Sequence, residues 1–382
     1  MRVPFVDLAV RDQTLHAELL SAIGAVLDRG DYILGAEVTA FEQEFAAYCG
    51  ARFAVGVSSG TSALVLALRA LGVGPGAEVI TVANSFLSTV SSILLVGARP
   101  VLVDVADDEN IDVDAVRQAI SPRTKAIFPV HLRGRPARMA ELIDLAREHD
   151  LHVVADCSQA QGARIDAERA TILGDLGCFS LHPLKNLPAP GDAGVIVTNH
   201  ADLAERLRTL RNHGLADRGF AVALGDNARL DTVHAATLRV RLRRLDRDNA
   251  RRRSIADAYN EAFTELPVVL PARTDGVESV YHHYVMQVSD RTPFLESMSA
   301  AGVDVRIHYP VPAHQQPAFT GAVTLAGELR RTEEQAGRIV SLPCSPALSD
   351  EQVRIVIDAV REHYRAAAAA WSLAADGVSE RT

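Results

Sequence analysis

Only two lysines, Lys125 and Lys185, stand among 39 basic residues. Arginine fills every other position, so a lysine that persists is a candidate for chemistry arginine cannot do: a guanidinium neither deprotonates nor forms an imine. Lys125 opens an apolar run after Ser-Pro-Arg-Thr and reads as a solvated surface residue. Lys185 stands in Ser180-Leu-His-Pro-Leu-Lys-Asn186, between the apolar runs 178–181 and 194–197, with Pro188, Pro190 and Gly191 after it. Desolvation in such a loop lowers the pKa of an amine and makes it a good imine former. Asp156, Ser158 and Gln159 follow the apolar run 152–155. An acid there is costly to bury unless it meets a positive partner, such as a protonated pyridine nitrogen, or else it caps the next helix. Ser58-Ser-Gly-Thr-Ser62 follows the run 53–57 and opens a periodic stretch, 63–71. Helix N–H groups with the hydroxyls of Ser59, Thr61 and Ser62 would hold a phosphate; an ordinary N-cap is the plain alternative. Taken together, a phosphate anchor, a pyridinium partner and an imine lysine are what pyridoxal 5'-phosphate (PLP) asks of a protein.

All three clusters sit at the ends of apolar runs, where ligands of open α/β sheets bind. Further strands are predicted at 79–82, 101–105 and 125–130, with helices near 88–96, 112–119 and 139–149 between them. Such alternation means βαβ units and a mainly parallel sheet. One long helix is predicted from 231 to 263. Beyond Pro267 the pattern changes to a strand at 284–288, a helix at 293–301, a strand at 304–308 and a last helix at 350–370, with a frayed alanine-rich tail over 366–382. Two domains follow: a large one over 1–245 and a smaller α+β one over 246–382. The glycines at 72, 74 and 76 make a turn after a helix rather than a dinucleotide fingerprint, and no Walker-type loop is present.

Composition narrows the function classes. The chain is 48% hydrophobic and 23% charged over 382 residues, ordinary for a globular protein and long enough for two cores. Cys49, Cys157, Cys178 and Cys344 form no CxxC pair, which argues against a disulfide framework or a zinc site and fits a reducing cytoplasm. The start, MRVPFVDLAVRDQ, has no apolar core of a signal peptide, and no run nears the roughly 18 residues of a membrane span. A net charge of −9 disfavours nucleic acid and anionic lipid. The basic run 239–253 is interrupted by Asp246 and Asp248 and carries no aromatic, so it reads as a solvated helix face. No spacing of His, Asp or Glu reads as a metal site. His282 and His283 are expected to alternate, so that at most one faces the site.

At this point the chain resembles the DegT/DnrJ/StrS sugar aminotransferases. The resemblance rests on PFVDL at 4–8, GDYILGAEVTAFEQEFAAYCG, VSSGTSALVLALRALGVGPGAEVIT, GARPVLVDV, PRTKAIFPVHLRGRP, DCSQAQGA, GDLGCFSLHPLKNL, GDAGVIVT, LRNHG and GDNARLDTVHAA, and ends at the HYP of 308–310. It implies PLP fold type I, the fold of aspartate aminotransferase: an α/β large domain with a mainly parallel seven-stranded sheet between helices, plus the smaller α+β domain. It implies Lys185 as the imine and proton-shuttling lysine and Asp156 as partner of the pyridinium nitrogen. Gln159 would lie near the phenolic oxygen, Phe86 would stack on the ring, and Gly60, Thr61 and Ser180 would hold the phosphate. Asn227 would reach the phosphate of the neighbouring subunit, making a homodimer with shared sites. His182, Arg229, His283, His308 and Tyr309 are candidate substrate contacts, with Arg306, His213 and His282 beside them. Two departures stand out: DCSQAQ where the family often has DAAQAH, and HLRG at 131–134 where it often has HLYG, so that Arg133 replaces an aromatic.

The activity this implies is transfer of an amino group from an amino acid, glutamate or glutamine, to a small-molecule keto sugar, nucleotide-linked and destined for a secondary metabolite or glycan. Amination of a keto-cyclitol or keto sugar in aminoglycoside assembly is the alternative substrate class. A PLP sugar dehydratase of the same fold would carry histidine in place of Lys185. A PLP-binding regulator without turnover is the alternative of another class; no helix-turn-helix segment is present to serve it.

Overall fold

The computed structural model describes residues 2–166, 168–169, 174–217 and 219–379. Two helices come first, α1 (Gln13–Arg29) and α2 (Ala36–Cys49), each ended by a glycine with positive φ, Gly30 and Gly50. Strand and helix then alternate through β1 (Phe53–Val57), α3 (Gly60–Ala70), β2 (Glu78–Val82), α4 (Leu87–Leu95) and β3 (Arg99–Val103). They continue through α5 (Val113–Ala119), β4 (Thr124–Ile127), α6 (Met139–Glu148) and β5 (His152–Asp156). Short β6 (Arg164–Ile165) and β7 (Glu168–Arg169) precede β8 (Leu176–Ser180), β9 (Gly194–Thr198), α7 (Ala201–Leu210) and the hairpin β10 (Leu215–Asp217), β11 (Phe220–Ala221). After α8 (Thr232–Leu242) and α9 (Leu245–Phe263) come β12 (Val277–Glu278), β13 (Tyr284–Gln287) and α10 (Arg291–Ala300). The chain closes with β14 (Thr324–Leu325), α11 (Arg330–Arg338), β15 (Ile339–Leu342) and α12 (Asp350–Ser379).

The main sheet runs β1-β9-β8-β5-β4-β2-β3-β14. It is parallel except at β9, which is antiparallel to both β1 and β8. Every residue of β2 and β9 is buried, as expected of strands covered on both faces. One apolar cluster, with Phe41, Phe45, Leu142 and Leu238, covers one side. A second, built on Leu64, Leu66, Leu68 and Leu207, covers the other. A third gathers Ile255, Tyr259 and Phe263 of α9 with Tyr284, Phe294 and Val356, and Val3 joins it from the N-terminus.

Several expectations change. The sheet has eight strands, because β14 adds Thr324 and Leu325 in parallel beside Val101 and Leu102; a two-residue strand leaves no periodicity to read. The single helix expected over 231–263 is two, broken at Arg243–Arg244, so α8 packs against α1 and α2 in the first cluster and α9 in the third. The strand expected at 304–308 is one bridge, Arg306 to Ser341, and β13 pairs instead with β15. The tail expected to fray from 366 is helical as far as it is described: α12 continues to Ser379 through an alanine run of high helix propensity, and 380–382 lie outside the described residues. The basic run is a solvated face only in part: Arg243 and Arg247 are exposed, but others of its arginines are tied down. Arg239 pairs with Glu37 and Glu44, Arg244 with Asp12 and Glu18, Arg251 with Asp350 and Arg253 with Glu278, while Arg252 is buried.

Candidate active site

The carboxyl ends of β1, β5 and β8 bring the three clusters together. Ser59 caps α3 by accepting from the Ser62 N–H at 3.0 Å. The N–H groups of Gly60 and Thr61 then open the helix without a partner among the described residues. Ser180 ends β8 directly opposite, so close that a Cβ on Gly60 would lie 2.6 Å from the Ser180 Cβ. A glycine, a serine hydroxyl and a free helix start thus enclose a space of the right chemistry for a phosphate. The Thr61 hydroxyl meets Ser88 at 3.0 Å, tying this end of α3 to α4.

Asp156 ends β5 and is 4% exposed. Its Oδ2 accepts from the Thr89 hydroxyl at 2.9 Å and its Oδ1 from the Ser158 N–H at 3.0 Å. No ion pair forms on it among the described residues, so a buried carboxylate is held in place with a charge still to be met. Thr89 is a contact that sequence reasoning missed; a threonine inside a helix carries no local signal of a carboxylate 67 residues away.

Lys185 follows a turn closed by its own N–H to His182 O at 2.8 Å. Burial pushes its ammonium down to about 8, with the charge of Asp156 opposing the shift. Its neighbour Asn186 is buried in a network the sequence did not reveal. The Asn186 amide donates to Asn249 Oδ1 (2.8 Å) and Val280 O (3.0 Å), and its oxygen meets His282 Nδ1 at 3.2 Å. Gln161 donates to Ser180 O at 2.6 Å. This network locks the lysine loop between β8, α9 and the segment before β13. Lys125 is exposed, as expected.

Gln159 is 3% exposed; its Oε1 accepts from the Arg133 N–H (2.6 Å) and its Nε2 donates to the Tyr309 hydroxyl (3.2 Å). Phe86 is half exposed, 5.5 Å from the Tyr309 ring between centroids, with aromatic surface left open. His283 and His308 stack at 3.8 Å and 12°, and His282 lies 4.0 Å from His283. The two neighbours therefore do not alternate: β13 begins only at Tyr284, and Tyr281 turns the chain with φ of 41°. Burial holds His283 well below its ordinary pKa and His308 down to about 4, each lowered further by nearby cations. It pushes Tyr309 up to about 12. His182 is exposed, its Nδ1 turned back to the Leu184 N–H at 3.2 Å. Arg229 is partly buried and donates to Asn212 at 3.2 Å. Asn227 is exposed, beside Ala228, whose carbonyl accepts from the Ser58 N–H at 3.0 Å. A cavity of about 810 Å³ lies behind the lysine loop, lined by Leu8, Leu15, Leu184, Lys185, Arg241 and Arg252; Asp156, Gln159 and Ser180 do not line it. No group of three metal-binding side chains occurs, and no helix is long and apolar enough to cross a membrane, among the described residues.

A phosphate cradle, a buried unpaired acid, an open aromatic and a desolvated lysine on adjacent strand ends fit PLP. Comparison with known proteins agrees. Residues 13–361 match the DegT/DnrJ/EryC1/StrS aminotransferase family. The chain is 44% identical over 363 residues, 94% of this chain and 96% of the relative, to a dTDP-3-amino-3,4,6-trideoxy-alpha-D-glucose transaminase of Streptomyces venezuelae. Among solved structures it is similar to Streptomyces venezuelae DesV in complex with a ketimine intermediate, with a TM-score of 0.92, 44% identity and coverage of 94% and 98% of the two chains. It is also similar to NtdA of Bacillus subtilis with bound cofactor PMP, with a TM-score of 0.88, 29% identity and coverage of 95% and 85%.

Proposed function

We propose, for a chain that belongs to the DegT/DnrJ/EryC1/StrS aminotransferase family, that it carries PLP on Lys185 and transfers the amino group of glutamate or glutamine to a nucleotide-linked keto-deoxysugar. The observation that supports this most directly is the buried Asp156, unpaired among the described residues, whose charge acts on the desolvated Lys185. The substrate class rests on the relative named as a dTDP-amino-sugar transaminase.

When bound, the cofactor supplies a ring that stores the electrons of a breaking C–H bond. The chain's own residues prepare for it. Lys185, with its ammonium near 8, offers about a tenth of its population as free amine at pH 7; its Nζ takes the proton from the amino-bearing carbon of the donor. Asp156 presents a fixed carboxylate to the ring nitrogen. Gly60, Thr61 and Ser180 hold the phosphate, Phe86 covers a ring face, and Gln159 lies by the phenolic oxygen. His182, Arg229, His283, His308 and Tyr309 are the candidate contacts for substrate.

We further infer a homodimer in which Asn227 serves the partner's phosphate. Its side chain is exposed in the single chain, and the neighbouring segment shows Phe220, Val222 and Leu224 to solvent at 65%, 58% and 94%. Apolar surface of that kind marks a protein contact. The division at 245/246 is supported by the separate third core cluster, and four buried free thiols suit a reducing cytoplasm. The test is turnover: PLP-loaded enzyme with L-glutamate and either a dTDP-linked 3-keto-6-deoxysugar or a keto-cyclitol, followed by release of 2-oxoglutarate. Rapid turnover of the nucleotide sugar is expected. Turnover of the cyclitol alone would move the substrate to the aminoglycoside class, and turnover of neither would refute the proposal.

A further inference from the structure

An aminotransferase that uses an amino acid and a sugar must hold two unlike molecules at one lysine. The donor brings a carboxylate on the carbon that carries its amine. The keto sugar brings hydroxyls around its ketone. A fixed, unpaired cation would serve the first and be left desolvated beside the second.

Arg133 meets that problem in an unusual way. It takes the left-handed backbone region, φ 60°, in the turn of HLRG, and is 8% exposed. Its N–H holds Gln159, which holds Tyr309. The guanidinium forms an ion pair with Glu109, itself in the left-handed region at φ 66°. One terminal nitrogen reaches His308 O at 3.5 Å, and Nε has no hydrogen-bond partner in its buried position. The Nδ1 of His283 is likewise buried without a partner. The Glu109 side chain is otherwise held only loosely, by Gln287 Nε2 at 3.4 Å. The unpartnered Arg133 Nε thus belongs to a residue that touches Gln159 and His308, and the unpartnered His283 Nδ1 to a ring stacked on His308.

We propose that Arg133 binds the carboxylate of the amino donor and that Glu109 is its internal stand-in, pairing with the guanidinium when the keto sugar occupies the site. The inference rests on the aminotransferase reading and deepens it. A donor carboxylate would supply the acceptor that Arg133 Nε lacks, in the bidentate form a guanidinium favours. On donor departure Glu109 restores neutrality, so the sugar meets no bare charge.

The test separates this from a mere strut between Glu109 and the 308–309 segment. PLP-loaded wild type, Arg133→Gln, Arg133→Lys and Glu109→Gln are compared in three measurements: KM for L-glutamate, KM for the keto sugar, and calorimetric affinity for glutarate, an unreactive dicarboxylate. Arg133→Gln should raise the glutamate KM and weaken glutarate by about tenfold or more, the loss of one charge-assisted hydrogen bond, with the keto-sugar KM within about twofold. Arg133→Lys should fall between, as a point charge without the fork. Glu109→Gln should act in the opposite sense, tightening glutarate and raising the keto-sugar KM. If both Gln variants shift every value in the same direction, or if glutarate binds Arg133→Gln as it binds wild type, the switch is wrong. If wild type consumes no amino donor at all, the aminotransferase reading itself fails, which is a different result.

Discussion

At the scale of single residues, Asp156 and Lys185 divide the work by environment. Asp156 is fixed by Thr89 and Ser158 and forms no ion pair among the described residues; Lys185 is desolvated toward its free amine. Asp156→Asn should retain PLP yet lose activity by orders of magnitude, since each pKa unit of support withdrawn from the ring nitrogen is worth about 1.4 kcal/mol. Near-normal kcat in that variant, with cofactor content checked by absorbance, would remove Asp156 from the mechanism. The lysine makes a pH prediction. Only the free amine captures the cofactor, and burial brings the Lys185 ammonium down to about 8, so PLP capture by apoenzyme should rise about tenfold per pH unit below 8 and level off above it. A profile still rising through pH 10 would mean a solvated lysine. Both residues were legible in the sequence, Lys185 through lysine scarcity and Asp156 through its place after an apolar run. Thr89, Asn186 and Asn249 were not, because their meaning lies in partners 67, 96 and 88 residues away.

At the scale of elements, the start of α3 lies against the end of β8 and forms the proposed phosphate seat. Gly60→Ala would put a Cβ 2.6 Å from Ser180, closing the seat and costing about tenfold or more in cofactor affinity as one charged hydrogen bond is lost. Fluorescence titration with PLP would show it, and unchanged affinity would mean that the phosphate lies elsewhere. Gly24→Ala is the contrast: it sits inside α1 with nothing within 4 Å, so a melt should show a gain of about 0.5–1 kcal/mol. Behind the seat, a buried pair of Arg211 and Glu42 holds Gly56 of β1 through its N–H and carbonyl. Glu42→Gln would leave the buried guanidinium uncompensated, and denaturant unfolding should record a loss of about 3–5 kcal/mol. The alternation of β1 to β5 with α3 to α6 was readable from apolar periodicity. The break between α8 and α9 was not, since every residue there is compatible with helix and only the two separate cores pull it apart.

At the scale of the molecule, the histidine stack couples acid to stability. His308 titrates near 4 when folded against an ordinary 6.5. Its depressed value favours the folded state above pH 6.5, and that contribution disappears as pH falls toward 4, worth about 3.5 kcal/mol at about 1.4 per unit. Chemical denaturation between pH 7 and 4 should show a smaller slope in His308→Phe; an unchanged slope would place the titration elsewhere. The proposed shared site makes the larger prediction. Lys185→Ala and Asn227→Asp should each be inactive alone, the second through repulsion of the phosphate. After subunit exchange, a heterodimer holds one doubly damaged site and one intact site, and activity should return toward about a quarter of wild type if pairing is random. Confirmed exchange without recovery would mean that Asn227 acts within its own chain.

The sequence by itself singled out the candidate reactive groups and the strand-helix alternation of the main sheet. Both are local properties: a lysine in an arginine-rich chain, an acid or a serine cluster after an apolar run, and period-two and helical runs in alternation. What only the tertiary structure decided was which polar atoms are buried and what each one meets. The basic run 239–253 reads as a solvated face, yet Arg239 and Arg244 pair with Glu37, Glu44, Asp12 and Glu18 from helices some 200 residues earlier. Arg133 reads as a departure from a motif, yet its burial beside Glu109 makes it a candidate ligand. Charge shows in a sequence; desolvation and pairing depend on where distant segments come to rest, and these set what a charge can do.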